Sequence, residues 1–154
     1  MTFKIISKFN FKNVMEESVD ISVVIPVFNK ERYIKRTLSS VLSQNTKPGE
    51  ILVVDDGSTD SSAEIIKSIN DLRIHFIQQE NAGECAARNT GIIAAENKIV
   101  ALLDADDEWK PDFLTHIKRL YNNFPDCGIY ATGFERIMPD GRLKFSSNLG
   151  IPPE

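Results

Sequence analysis

The stretch Ile51-Leu52-Val53-Val54-Asp55-Asp56-Gly57-Ser58-Thr59-Asp60 constrains the fold more than any other part of the chain. Its apolar, mostly β-branched residues run without polar alternation, which is the pattern of a buried strand, and they end abruptly in two carboxylates. Gly57 allows a tight exit from that strand. Ser61-Ser62-Ala63-Glu64 then reads as a capping box, with Ser61 as N-cap and Glu64 reaching back. Asp55 and Asp56 are thereby predicted at the carboxyl end of a parallel strand, where open α/β sheets bind ligands. A single Asp here could simply cap the next helix. Two adjacent acids repel each other unless cations or hydrogen-bond donors compensate, so this tip is predicted to be functional.

The remaining chain alternates strand and helix patterns. Ile21 to Asn29 is a strong strand in which Pro26 marks the end of regular pairing. Tyr33, Ile34, Leu38, Val41 and Leu42 recur at helical spacing through about Gln44, and Lys47-Pro48-Gly49 turns the chain back. A helix carries Ile65, Ile66 and Ile69, followed by a strand at Arg73–Ile77. An Ala-rich helix runs from Gly83 to about Ala95, and a further strand spans Lys98–Leu103. Phe113, Leu114, Ile117, Leu120, Tyr121 and Phe124 form an amphipathic helix, with Pro111 tolerated in its first turn. Gly128–Phe134 is predicted as a fifth strand, Pro139-Asp140-Gly141 as a hairpin turn, and Ile151–Glu154 as unstructured. The fold class is α/β, a Rossmann-like, mostly parallel sheet flanked by helices with right-handed crossovers.

Composition narrows the function. A chain of 154 residues fits one domain, and its net charge of -4 argues against a general nucleic-acid surface or a polybasic membrane patch. No apolar run approaches the ~18 residues of a transmembrane segment. Residues 1–19 mix Lys, Phe, Asn and Glu without a signal-peptide core, and are predicted as an N-terminal arm or short extra strand ahead of a domain at 20–154. The expected location is cytoplasmic, with at most peripheral contact at the inner face of the membrane. Cys85 and Cys127 match no metal-ligand spacing and are expected to be reduced thiols. His75 and His116 are isolated, so packing or surface roles are expected of them.

Three predicted strand tips carry the chemistry: Pro26 to Asn29, Asp55 to Asp60, and Asp104 to Asp107. In a parallel sheet these tips share one edge and converge on one crevice. Asp104-Ala105-Asp106 puts two carboxylates within reach of one hard cation, and Mg²⁺ or Mn²⁺ commonly completes its shell with substrate phosphates. In Asn81-Ala82-Gly83-Glu84-Cys85-Ala86-Ala87-Arg88-Asn89-Thr90-Gly91, Gly83 suits close approach near a helix start. Ala86, Ala87 and Gly91 let that helix lie close to the sheet. Arg88 could meet a phosphate or pair with a strand-tip carboxylate.

Together these segments resemble the family 2 glycosyltransferases, which have a GT-A fold. The resemblance rests on Val24–Asn29, Val54–Asp60, Asn81–Gly83 with Ala87–Gly91, and Asp104–Trp109, in order and spacing, across roughly Ile21 to Phe134. It implies a nucleotide-sugar site, usually for a UDP-sugar, with a divalent metal, Mn²⁺ or Mg²⁺. By that analogy Asp56, beside Asp55, accepts a hydrogen bond from the base. The backbone around Pro26, Val27 and Phe28, leading to Asn29, forms the base pocket. Asp104 lies near the ribose, with Asp106 the main metal ligand and Asp104 a second candidate, and Arg88 belongs to the same substrate site. The implied reaction transfers a sugar to a saccharide, glycan or lipid-linked acceptor, inverting and metal-dependent, in cell-surface polysaccharide synthesis.

Family members usually continue well past this length, through acceptor contacts and a general base. Glu108, Asp112, Asp126, Glu135 and Asp140 do not match that base, which is expected beyond residue 154. The chain thus resembles a donor-binding portion with little or no transferase activity alone. The alternative is a non-catalytic nucleotide-sugar binder, completed by a partner or by a second copy at an exposed apolar edge. A phosphoacceptor receiver domain imitates Asp55-Asp56 and Asp104, but a full strand-helix unit precedes the acidic pair. A dinucleotide oxidoreductase lacks its G-x-G-x-x-G after the first strand.

Overall fold

The computed structural model describes residues 20–138 and 142–146. The predicted arm at 1–19, the turn Pro139-Asp140-Gly141 and the tail at Ile151–Glu154 lie outside them. The chain forms two compact units, Met1–Thr115 and His116–Glu154. In the first, strands β1 (Ile21–Val27), β2 (Glu50–Asp55), β3 (Ile74–Gln78) and β4 (Ile99–Leu102) make one sheet in the order β3-β2-β1-β4. Every pairing is parallel. Helices α1 (Ile34–Leu42), α2 (Ser62–Lys67) and α3 (Glu84–Ala94) connect successive strands, and α4 (Phe113–Asn123) follows β4.

The two central strands explain the apolar runs of the sequence. Every residue of β1 and β2 is buried, and Val23, Val24, Ile25, Ile51, Val53 and Val54 are fully enclosed. Ile34, Leu38 and Val41 of α1 repeat at helical spacing and are fully buried as well. Pairing at Pro26 stops on one side only. Pro26 keeps register with Val54 of β2, whereas β4 ends at Leu102, opposite Val24. Val24 O accepts from Leu103 N on the β4 side and Val27 O from Asp56 N on the β2 side. Backbone groups alternate sides along a strand, so the N–H that Pro26 lacks falls on the β4 side, beyond the last paired residue.

Helix α3 lies against β1 because its facing residues are small. Ala87 is fully buried, and a Cβ built on Gly91 would come within 2.3 Å of Val24 Cγ1. At the amino edge of the sheet, buried Glu50 accepts from Ser22 Oγ at 2.6 Å, Glu96 N at 2.7 Å and Asn97 Nδ2 at 3.2 Å. Burial raises its pKa, but these donors outweigh it and hold the carboxyl below its ordinary value. The chain turns into β3 through Asp71, which pairs with Arg73 at 2.8 Å. The Arg73 side chain and backbone N–H hold that carboxyl at about 2.

Two expectations are corrected. The Ser61 hydroxyl makes no capping bond. Asp60 Oδ1 accepts from Ser62 N at 3.0 Å instead, and Glu31 Oε2 accepts from Ser61 N at 3.1 Å. A carboxylate is the stronger acceptor for an unpaired helix amide and displaces the hydroxyl. No strand forms at 128–133, where Ile129 is 87% exposed and Gly128 and Gly133 weaken extended pairing. The fifth strand is β5 (Phe134–Ile137), which pairs antiparallel with β6 (Leu143–Ser146) in its own two-stranded sheet. Within this second unit Tyr121 and Tyr130 meet edge-on, 6.2 Å between centroids, and the Tyr130 hydroxyl donates to Phe124 O.

Gly91→Ala should therefore destabilise the protein. Alanine gains up to about 1 kcal/mol of helix propensity, but overpacking against Val24 costs about 1–3 kcal/mol. The net loss is expected as a lower urea midpoint with an unchanged slope. Stability should also be acid-sensitive. Glu50 and Asp71 both have lowered pKa values in the folded state, so their contribution is complete above the ordinary carboxylate range. It is lost progressively as pH falls from there through the lowered folded values, about 2 for Asp71. Thermal melts should hold their midpoint from neutral pH to about pH 5 and fall below about pH 4. Asp71→Asn should make that fall shallower.

Candidate functional site

A cleft of about 530 Å³ opens at the carboxyl edge of the sheet. Pro26, Val27, Phe28 and Lys30 line it from the end of β1, Asp56 from the end of β2, and Asp104 to Asp106 from the end of β4. The first two segments are bolted together by short-range polar contacts. Asn29 adopts a positive φ of 53°, a conformation Asn tolerates better than most residues. Its N–H donates to Ser58 Oγ at 3.0 Å, and its Oδ1 accepts from Thr59 N at 2.8 Å. Lys30 N donates to Ser62 Oγ at 2.8 Å and Glu31 N to Asp60 Oδ2 at 3.0 Å. Gly57, at φ 75°, makes the exit from β2 that a side chain would strain.

The paired acids divide their work. Asp55 is fully buried and accepts from Ser58 N at 3.1 Å and Gln78 Nε2 at 3.0 Å, so it shapes the loop and does not line the cleft. Asp56 is 2% exposed and faces the cleft. Its Oδ1 accepts from Gln79 Nε2 at 2.7 Å and Ala82 N at 2.9 Å, and its Oδ2 from Gly83 N at 2.8 Å. Burial works to raise its pKa, but the Ala82, Gln79 and Gly83 donors prevail and hold the carboxyl below its ordinary value. The compensation the acidic tip requires thus comes from N–H donors. Gly83 reaches this position at φ 91°, which explains the glycine, and α3 starts at the next residue.

The acids after β4 are compensated differently. Asp106 pairs with Lys30 Nζ at 2.5 Å, and Asp104 pairs with Arg88 at 2.6 Å. Arg88 also bonds Glu84, one turn back on α3, which itself lines the cleft. Hydrogen bonding to Asp106 raises the Lys30 pKa, and hydrogen bonding to Asp104 raises that of Arg88. Burial, then the Asp104 and Asp106 charges, raise the pKa of neighbouring Asp107. The segment is held from below by α1. Thr37 Oγ1 donates to Ala105 O at 2.8 Å, and Arg36 bonds Asp106 O and Glu108, each at 2.9 Å.

Of the residues singled out in the sequence, Pro26, Val27, Phe28, Asp56, Asp104 and Asp106 meet on the cleft. Asn29, Asp55 and Arg88 do not line it: Arg88 fixes Glu84 and Asp104, which do, while Asn29 and Asp55 brace the Ser58–Thr59 loop behind it. Gly83, singled out for close approach, lines it as well; Asn81, Glu84, Ala87 and Ala105 stand in the segments singled out but were not named as site residues, and Lys30 was missed. Lys30 could have been found, as a cation immediately after a predicted strand tip. Among the described residues no group of three or more His, Cys, Asp or Glu side chains is arranged to hold a metal ion. Asp104 and Asp106 offer only hard oxygens, and Mg²⁺ or Mn²⁺ draws much of its shell from phosphates and water. The donor set therefore suits a cation bound together with an anionic ligand. The receiver alternative fails on topology, since the acidic pair ends the second strand and β1 separates it from β4.

Comparison with known proteins agrees with this geometry. The family model for glycosyl transferase family 2 matches residues 22–149. TuaG of Bacillus subtilis strain 168, a glycosyltransferase assigned provisionally to teichuronic acid biosynthesis, is 38% identical over 125 residues, 79% of this chain and 49% of that protein. TarS of S. aureus, residues 1–349 in complex with UDP-GlcNAc, superposes with a TM-score of 0.64 at 30% identity, over 69% of this chain and 32% of that one. The mannosyltransferase PcManGT from Pyrobaculum calidifontis, with GDP-Man and Mn²⁺, gives 0.59 at 29% identity, over 65% and 32%. The chain spans from 14% to 49% of the length of three curated relatives it matches. Its parallel sheet flanked by helices is that of the GT-A glycosyltransferases, and the chain belongs to glycosyl transferase family 2.

Proposed function

We propose that the cleft is the donor site of a glycosyltransferase that uses a nucleoside diphosphate sugar, UDP-linked in the first instance, together with Mn²⁺ or Mg²⁺. The observation that carries this reading is the meeting of Asp56 with Asp104 and Asp106 on one cleft, from strand tips far apart in sequence. Asp56 is immobilised by three donors, and its Oδ2, with one donor, keeps acceptor capacity for a base N–H. Phe28, 46% exposed, gives apolar surface beside the Pro26–Phe28 backbone for the base itself. Asp104 lies on the ribose side and Asp106 holds the cation.

Charge supports the requirement for a cation. Asp56, Glu84, Asp104 and Asp106 line the cleft against Lys30, with Arg88 bridging Glu84 and Asp104. A diphosphate approaching this surface meets net negative charge. A bound divalent ion offsets that repulsion and the charge that builds on the departing diphosphate. The ligands named for TarS and PcManGT, UDP-GlcNAc and GDP-Man with Mn²⁺, support the ligand class. Transfer is proposed to be inverting, onto a saccharide or lipid-linked acceptor in cell-surface polysaccharide synthesis, a role that the name of TuaG favours. The work is proposed to be cytoplasmic, at the membrane periphery. No helix among the described residues is long and apolar enough to cross a membrane.

Calorimetric titration of UDP should detect binding that depends on Mn²⁺, and Asp106→Asn should weaken it at least about tenfold with Mn²⁺ present. A folded chain that ignores both UDP and GDP in Mn²⁺ would sink the donor-site reading. Asp56→Ala leaves the Ala82 and Gly83 amides and the Gln79 side chain without their acceptor. It should lower stability by about 2–4 kcal/mol in urea unfolding and abolish UDP binding in the fraction that stays folded.

A further inference from the structure

Lys30 answers to two demands. Its ammonium sits 2.5 Å from the Asp106 carboxylate, 76 residues away in sequence, and its side chain also lines the cleft. Both side chains are partly solvated, at 32% and 44% exposure, so water can take over from either partner when the pair separates. Arg88 is placed differently. Its planar fork is engaged by Asp104 and Glu84 together, which fixes it from two sides. Lys30 carries a compact charge on a flexible four-carbon stem, and among the described residues its contact-distance ion pair is with Asp106, Glu84 acting on it only through its charge, so it is the cation able to change partners.

A divalent ion reaching Asp106 encounters the Lys30 charge at contact distance, and the two cations repel. A diphosphate entering the same cleft offers Lys30 new anionic oxygens. We propose that Lys30 is an exchangeable counter-ion, paired with Asp106 as seen here and passing to the diphosphate oxygens when nucleotide and cation bind together. The exchange rests on the donor-site reading above and adds a property to it. Lys30 disfavours capture of the cation alone and favours capture of the nucleotide, so each ligand strengthens the binding of the other. Such coupling is reciprocal by thermodynamic necessity. Lys30 acts here on binding order, with no bond made or broken.

The test compares the wild type with Lys30→Met and Lys30→Arg. Binding of Mn²⁺ is followed by the electron paramagnetic resonance signal of the free ion, without nucleotide and with saturating UDP. Lys30→Met should bind Mn²⁺ alone roughly three- to tenfold tighter, since a contact-distance positive charge is removed from a partly solvated site. The same variant should bind UDP more weakly at fixed Mn²⁺, and Lys30→Arg should restore both values toward wild type. A purely structural Lys30 would change the melting temperature and leave Mn²⁺ affinity alone. If wild type binds UDP with Mn²⁺ but folded Lys30→Met binds Mn²⁺ no more tightly, the exchange is overturned and the donor site stands. If folded wild type binds neither UDP nor GDP with Mn²⁺, both fall. Should Lys30→Met fail to fold, Lys30→Gln decides by the same two affinities.

Discussion

The Asp56 carboxylate is the contact on which the rest of the site depends. A buried charge is costly unless it is hydrogen-bonded, and here three N–H donors compensate it while Oδ2 keeps capacity for one more. Two of those donors are the backbone amides of Ala82 and Gly83, immediately before α3. The same bonds that stabilise the charge therefore fix where α3 begins. From that start the helix carries Ala87 and Gly91 onto β1 and aims Arg88 at Asp104. Remove the acceptor at residue 56, and the register of the helix and the anchoring of the β4 tip both lose their reference point.

The cleft is thus built by two kinds of electrostatic compensation, and the difference matters. Asp56 is neutralised by backbone and amide dipoles, which are fixed and cannot leave. Asp104 and Asp106 are neutralised by side-chain cations, of which Arg88 is held from two sides and Lys30 is free to swing. In the proposed donor site, fixed dipoles would suit a group that holds one orientation toward a base, and a movable counter-ion would suit a carboxylate that releases its pairing to a cation. The loops after β1 and β2 reinforce the fixed half, because Asn29, Ser58, Thr59, Asp60 and Ser62 bind one another across the two strand ends.

Much of this was legible in the sequence because buried strands write themselves in unbroken apolar runs. Val23 to Ile25 and Ile51 to Val54 could be nothing else, and the acids that ended such runs had to share an edge. The small residues of α3 were likewise readable, since Gly91 serves no purpose except closeness to Val24. Contacts between side chains distant in sequence were not readable. Nothing local tells Lys30 that its partner is Asp106, or tells Ser61 that Asp60 and Glu31 will take over its capping role. The strand expected at 128–134 formed only at its last residue, for a related reason. Its composition allowed extension, but a strand needs a partner, and among the described residues antiparallel pairing with β6 begins at Phe134, opposite Ser146.

Strand β2 carries buried acids at both ends, and comparing them shows why its carboxyl end is the one that faces the cleft. Glu50 at the amino end is closed in by Ser22, Glu96 and Asn97, with all three donors directed at the same oxygen. There the chain arrives from helix ends, where carbonyls point outward and an incoming anion is repelled. At the carboxyl end the chain departs into helices whose first amides have no partner within the helix and draw carboxylates instead, and α3 points its own start at the cleft. The same carboxylate chemistry therefore becomes a structural clamp at one edge and a ligand-facing group at the other. What decides between them is the polarity of the parallel sheet, which collects every helix start on one side.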